Sequence, residues 1–150
     1  MNDEIREGLQ AAQKKLPAAL LYDDLGSTLF EAITRLPEYG VARADETLLP
    51  THIDTCVQSF SQAIDVIELG PGHGRKAKVV LASVLRHQPS ARFFAIDVSG
   101  EALRACKRTL DEVPHVATTL IEGSFIDGLR QLPARDSMRR RLVLFLGSNL

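Results

Sequence analysis

The sequence predicts an α/β fold, a Rossmann-like doubly wound parallel sheet carrying an N-terminal helical extension. Three observations predict it. From Ile64 onward, short β-branched runs alternate with stretches of helical spacing. The first run, Ile64-Asp65-Val66-Ile67-Glu68-Leu69, opens directly into a turn with Gly70, Gly72 and Gly74 at alternate positions. The second run closes on an acid, Asp97. A β-α-β-α-β-α-β rhythm requires parallel pairing with right-handed crossovers. By analogy with doubly wound sheets, the first four strands take the order 3-2-1-4, with ligand over the carboxyl ends of strands 1 and 2.

The chain divides into a helical segment, 1–62, and a sheet-bearing segment, 63–150. Residues 2–15 place Ile5, Leu9 and Ala12 at helical spacing, ending near Leu16-Pro17. Tyr22-Asp23-Asp24-Leu25-Gly26-Ser27 is turn chemistry, followed by a helix to Leu36 that Pro37 stops. Arg43 to Phe60 reads as a third helix, with Pro50 as a kink or a boundary. An extension of this length is expected to supply a lid or a substrate wall. Beyond it come a strand over 64–69, a helix over 75–87 and a strand over 92–97. A helix over 99–111, opened by Ser99 as cap, leads to a strand over 116–121. A helical turn over 125–132 and a strand over 142–146 complete the pattern, with Arg139-Arg140-Arg141 as a solvated loop before that strand. A last strand running into the terminus leaves an apolar edge without a neighbour. The expectation is an incomplete, C-terminally truncated sheet, available for self-association through that edge.

Composition narrows the function classes. The 150 residues are 45% hydrophobic, enough for one core, and the formal charge is −1. That charge gives no reason to expect nucleic acid or an anionic membrane as partner. Cys56 and Cys106 have neither metal-site spacing nor the density of a secreted scaffold. The polar start is not a signal peptide, and no apolar run approaches the roughly 20 residues of a membrane helix. A cytoplasmic location is expected. His52, His73, His87 and His115 show no ligand spacing, so no metal is assigned.

The glycine turn is the centre of the chemistry. A dinucleotide site prefers G-x-G-x-x-G. The G-x-G-x-G spacing here, preceded by Glu68, suits S-adenosylmethionine, which has an amino-acid head and a sulfonium in place of a pyrophosphate. Asp97 stands where a carboxylate can accept both ribose hydroxyls; the competing role is a cap for the next helix. Glu68 faces either the ligand's ammonium or the amides of its own loop. Lys76 lies in the first helical turn, beside a positive helix end, and either meets a ligand carboxylate or is solvated. Ser124 and Phe125 follow the third strand, where a polar group meets the adenine edge and a ring covers its face, unless Phe125 is ordinary core. His73, in the glycine turn, touches ligand or is exposed.

The chain also resembles a known family, the histidine-specific N-alpha-methyltransferases that begin ergothioneine synthesis. The resemblance is carried by Leu21 to Ile33, Leu36-Pro37-Glu38-Tyr39, Arg43 to Leu49 and Glu68-Leu69-Gly70-Pro71-Gly72. Further matches are Arg75-Lys76, Ile96-Asp97-Val98-Ser99, Glu101-Ala102-Leu103 and Phe145-Leu146-Gly147-Ser148. It implies an S-adenosylmethionine-dependent transferase acting on the α-amino group of a small amino acid, L-histidine, converted to hercynine by trimethylation. It further implies a donor site of Gly70, Lys76, Asp97, Ser124 and Phe125, and a substrate site of Tyr39 with Tyr22 and Gly147. Gly40 replaces the family's second tyrosine and Ser124 its aspartate, while the family's substrate asparagine falls beyond Leu150. No residue is assigned as catalytic base. The alternatives are a nicotinamide-dependent oxidoreductase domain and a non-catalytic fragment that pairs with a partner chain.

Overall fold

Strand β1 (Ala63–Leu69) runs through the middle of a four-stranded sheet, flanked by β2 (Ala91–Asp97) and β4 (Arg139–Leu144). With β3 (Val116–Glu122) beyond β2, the order is β3-β2-β1-β4, every pair parallel, as the alternation predicts. The computed structural model describes residues 2–17, 20 and 23–146. Ile64 through Glu68 are all buried, which explains why β1 reads as a near-continuous apolar run.

Two helices carry the chain from β1 outward to β3: α4 (Arg75–His87) and α5 (Gly100–Leu110). Their apolar faces meet Ile64, Val66, Phe93 and Ala95 in the larger core. The return from β3 to β4 passes through the six-residue α6 (Phe125–Arg130) on the opposite face, over Ile67, Phe94, Ile96 and Ile121. Strand order therefore reverses beside β1, and the crevice at its carboxyl end is left to ligand. Ser99 caps α5 as expected, accepting from the Ala102 N–H at 3.2 Å.

Before the sheet come α1 (Asn2–Gln10), α2 (Asp24–Ile33) and α3 (Gly40–Gln58). Helix α1 is shorter than its periodicity predicts. The chain folds back so that the Lys15 N–H meets the Gly8 carbonyl at 3.0 Å, over a glycine with no Cβ in the way. Helix α2 stops three residues before Leu36. Helix α3 starts earlier than Arg43 and continues past Pro50, which is therefore not its boundary. Packing overrides the missing N–H: Ile53 and Val57 are buried, and Asp54 accepts from Ser83 Oγ at 2.8 Å and Arg86 Nη2 at 2.6 Å on α4.

The arginine triplet is corrected. Arg139–Arg141 open β4 rather than forming a loop before it. Arg139 Nε lies 2.6 Å from Asp65 Oδ1 and its Nη2 2.9 Å from the Ile64 carbonyl, pinning the strand three residues earlier than the apolar run suggests. Arg92 Nε adds a second guanidinium to the same carboxylate at 2.7 Å.

The glycines of the turn do different things. Gly72 and Gly74 both have positive φ, at 53° and 72°. A Cβ on Gly74 would sit 2.8 Å from Cys106 Sγ and 3.2 Å from its Cα, whereas one on Gly72 would meet nothing within 4 Å. Gly74→Ala is therefore expected to cost about 2–4 kcal/mol, backbone strain plus overpacking. Gly72→Ala should cost only the strain, about 1–2 kcal/mol. Paired urea titrations read the difference, and equal losses would contradict this division of labour.

Candidate functional site

A cavity of about 610 Å³ opens where the strand order reverses. Its floor is the end of β1 and the turn after it, with Glu68, Gly70, Pro71 and Gly72. Asp97 at the tip of β2 and Lys76 in the first turn of α4 enter from the sheet side. The opposite wall comes from α2, α3 and the residue that precedes α3: Phe30, Asp45, Leu49 and Tyr39 among others. Of the residues singled out from sequence, Glu68, Gly70, Gly72, Lys76, Asp97 and Tyr39 share this one space, and His73 borders it.

Backbone bonds continue the sheet into the site. The Gly70 N–H reaches the Ile96 carbonyl at 2.8 Å and the Gly123 N–H reaches the Asp97 carbonyl at 2.9 Å, so the tips of β1, β2 and β3 are held in register. Asp97 Oδ1 accepts from the Ser99 N–H at 3.0 Å. Burial raises the Asp97 pKa, although backbone amides of Ser99, Val98 and Gly72 oppose the rise. Its carboxylate thus braces the turn and still lines the cavity.

Glu68 is the unusual group. It is 1% exposed, and its Oε2 has no hydrogen-bond partner among the described residues. Burial pushes its pKa up to about 7, with the Lys76 ammonium pulling the other way. A buried carboxyl oxygen left unpaired costs about 1–3 kcal/mol, so its partner is expected to be something the cavity receives. Lys76 is better provided for: its Nζ lies 2.6 Å from Asp45 Oδ2 and 3.3 Å from the Leu146 carbonyl.

The glycine turn is tied to the helical segment as well. Glu31 on α2 pairs with Arg75 and, through Oε2, with His73 Nδ1 at 3.2 Å. Burial would raise the Glu31 carboxyl, but Arg75, His73 and Arg35 outweigh it and hold it lowered. His73 is accordingly neither free nor fully exposed. Tyr39 packs edge-on against Phe30, ring centres 6.0 Å apart.

Ser124 and Phe125 do not line this cavity. Ser124 caps α6, accepting from the Asp127 N–H at 3.2 Å and donating to Asp127 Oδ2 at 2.7 Å. Phe125 packs edge-on against Phe145, ring centres 5.8 Å apart, beside the smaller core. Tyr22 and Gly147 lie outside the described residues. Sequence reasoning missed Asp45 and Glu31. The spacing Ala42, Asp45, Glu46, Leu49 marks one helical face, and all four line the cavity, so the signal for Asp45 was present. No group of histidine, cysteine or acidic residues suited to a metal occurs among the described residues. Among them, too, no helix is long and apolar enough to cross a membrane.

The Glu68 environment sets a pH dependence. A carboxyl raised from 4.5 to about 7 on folding binds its proton more tightly in the native state. Its contribution is whole below pH 4.5 and is lost as pH rises towards 7, a change of about 3 kcal/mol at most. Glu68→Gln should flatten the stability profile across that window relative to the wild type. Parallel slopes in urea titrations from pH 4.5 to 7.5 would show that Glu68 is not buried as described.

Comparison with known proteins accords with this geometry. The family described as "Histidine-specific methyltransferase, SAM-dependent" matches residues 1–150. The chain is 34% identical over 148 residues to a histidine N-alpha-methyltransferase of Mycolicibacterium smegmatis, covering 98% of this chain and 45% of the relative. It is 36% identical over 149 residues to a histidine N-alpha-methyltransferase of Mycobacterium tuberculosis, with the same coverage of 98% and 45%. Against ergothioneine biosynthesis protein 1 of Neurospora crassa the identity is 32%, over 91% of this chain and 16% of the relative. The chain thus spans less than half the length of the curated relatives it matches. With the family match running from Met1 to Leu150 and the strand order and glycine turn in place, the chain belongs to the S-adenosylmethionine-dependent, histidine-specific methyltransferase family.

Proposed function

We propose that this chain holds S-adenosylmethionine across the tips of β1 and β2, as the donor-binding part of an amino-acid N-methyltransferase. One observation carries the reading: Glu68, whose buried Oε2 has no partner among the described residues, lines the same cavity as Asp97 and Lys76. Those three groups suit the donor. Asp97 accepts the ribose hydroxyls, Lys76 meets the carboxylate of the amino-acid head, and Glu68 meets its ammonium. The open space over Gly72 lets the ligand approach the backbone. Ser124 and Phe125 stay out of this assignment: the first is spent capping α6 and the second packs on Phe145.

Bound there, S-adenosylmethionine supplies an electrophilic methyl on a sulfonium, which a neutral amine takes by in-line displacement. Residues 63–150 position the donor and residues 1–62 form the substrate wall; Tyr39, Tyr22 and, from the later segment, Gly147 bind the amino-acid substrate. Positioning provides most of the acceleration. An α-amino group titrates near 7.7–8.0, so the site need only favour its uncharged form modestly and no strong base is required. L-Histidine is the substrate the relatives' names suggest, with trimethylation to hercynine as the outcome. The protein works on this small molecule in the cytoplasm, without nucleic acid or membrane.

The test is direct binding of labelled S-adenosylmethionine. Asp97→Ala should weaken it by about 10- to 100-fold, the loss of hydrogen bonds to a charged acceptor. Tight binding of NAD, with no competition by S-adenosylmethionine, would reject the assignment. Self-association through the outer edge of β4, which among the described residues pairs only with β1, belongs to the same reading. Sizing of the purified chain should give a dimer or larger, and a monomer at high concentration would remove that element.

A further inference from the structure

Lys76 sits in the first turn of α4, where its ammonium adds to the positive end of the helix dipole. The cavity is also lined by Glu68, whose Oε2 has no partner among the described residues, so it offers both an ammonium and a carboxyl group to an amino-acid head. The positive pole, however, already has an occupant. Asp45 Oδ2 lies 2.6 Å from Lys76 Nζ, and the two side chains are 35% and 32% exposed. Asp45 reaches the pair from α3, on the wall facing the sheet. A carboxylate arriving at Lys76 meets another carboxylate there.

We propose that Asp45 is the internal counter-ion of this site, a positioning residue that holds Lys76 extended and gives way to the ligand's carboxylate. The inference rests on the donor-site reading above and goes beyond it. Its energetics are permissive, because both side chains keep contact with solvent, which screens the pair. Lys76 keeps the Leu146 carbonyl as a second anchor while the exchange occurs. Asp45 consequently tunes how strongly the amino-acid head contributes to affinity, without touching the nucleoside end.

Two ligands separate that role from a structural one. S-Adenosylhomocysteine carries the amino-acid head; 5′-methylthioadenosine has the same nucleoside without it. By titration calorimetry, Asp45→Asn should bind S-adenosylhomocysteine about three- to fivefold more tightly than the wild type, with 5′-methylthioadenosine unchanged. In a Lys76→Met background the Asp45→Asn effect should vanish. Asp45→Ala, with thermal melts confirming the fold, should repeat the pattern. Weaker binding of S-adenosylhomocysteine, or equal shifts for both ligands, would overturn the counter-ion role while leaving the donor site intact. A wild-type chain that binds neither nucleoside would sink the donor-site reading, and this inference with it.

Discussion

The reversal of strand order beside β1 is the constraint on which the rest depends. Helices α4 and α5 carry the chain in one direction over one face, and α6 brings it back over the other. No crossover passes over the carboxyl end of β1 itself. A chain obliged to use right-handed connections has no other way to build this order, so the crevice is a product of topology before any side chain is chosen. The side chains then decide what the crevice can receive.

Strand β1 shows that decision within three residues. It buries two carboxylates, Asp65 and Glu68, in a strand otherwise apolar. Asp65 faces the thinly covered side, where Arg92 and Arg139 meet it from both neighbouring strands. Burial would raise its pKa, yet the two guanidiniums hold it lowered, and the result locks β4 in register. Glu68, three positions on, has the opposite fate: its pKa is raised, and its Oε2 has no partner among the described residues on the floor of the cavity. The first is architecture. The second leaves one oxygen with no partner among the described residues. Helix α3 divides in a comparable way: Asp54 and the buried Ile53 and Val57 fasten its later half to α4, while Asp45 fastens the earlier half to Lys76.

Much of this was readable in the sequence because it follows from period and spacing. The β-branched runs and the positive-φ turn at Gly70, Gly72 and Gly74 require no tertiary information. What escaped was set by contacts between distant segments. The start of β4 depends on Arg139 finding Asp65, seventy-four positions away, and an arginine triplet by itself looks like solvated loop. Pro50 looked like a break because its lost N–H is local, whereas the packing of Ile53 and Val57 that carries α3 past it is not. Asp45 was overlooked for a third reason. A single acid on an exposed helix is unremarkable until the helix is laid across the mouth of a sheet.

Cys106 acquires a meaning from the same geometry. Its sulfur lies directly beneath the turn, close enough that a methyl group on Gly74 would strike it. Burial pushes the thiol up to about 12, and Glu68 and Asp97 add to the effect. A sulfonium donor is an alkylating agent, and a thiolate is the side chain it would modify most readily. Held protonated and walled off from the crevice, this sulfur is passivated. The fold thus keeps a soft nucleophile beside the glycine turn in its protonated form, which reacts least readily with a methyl donor.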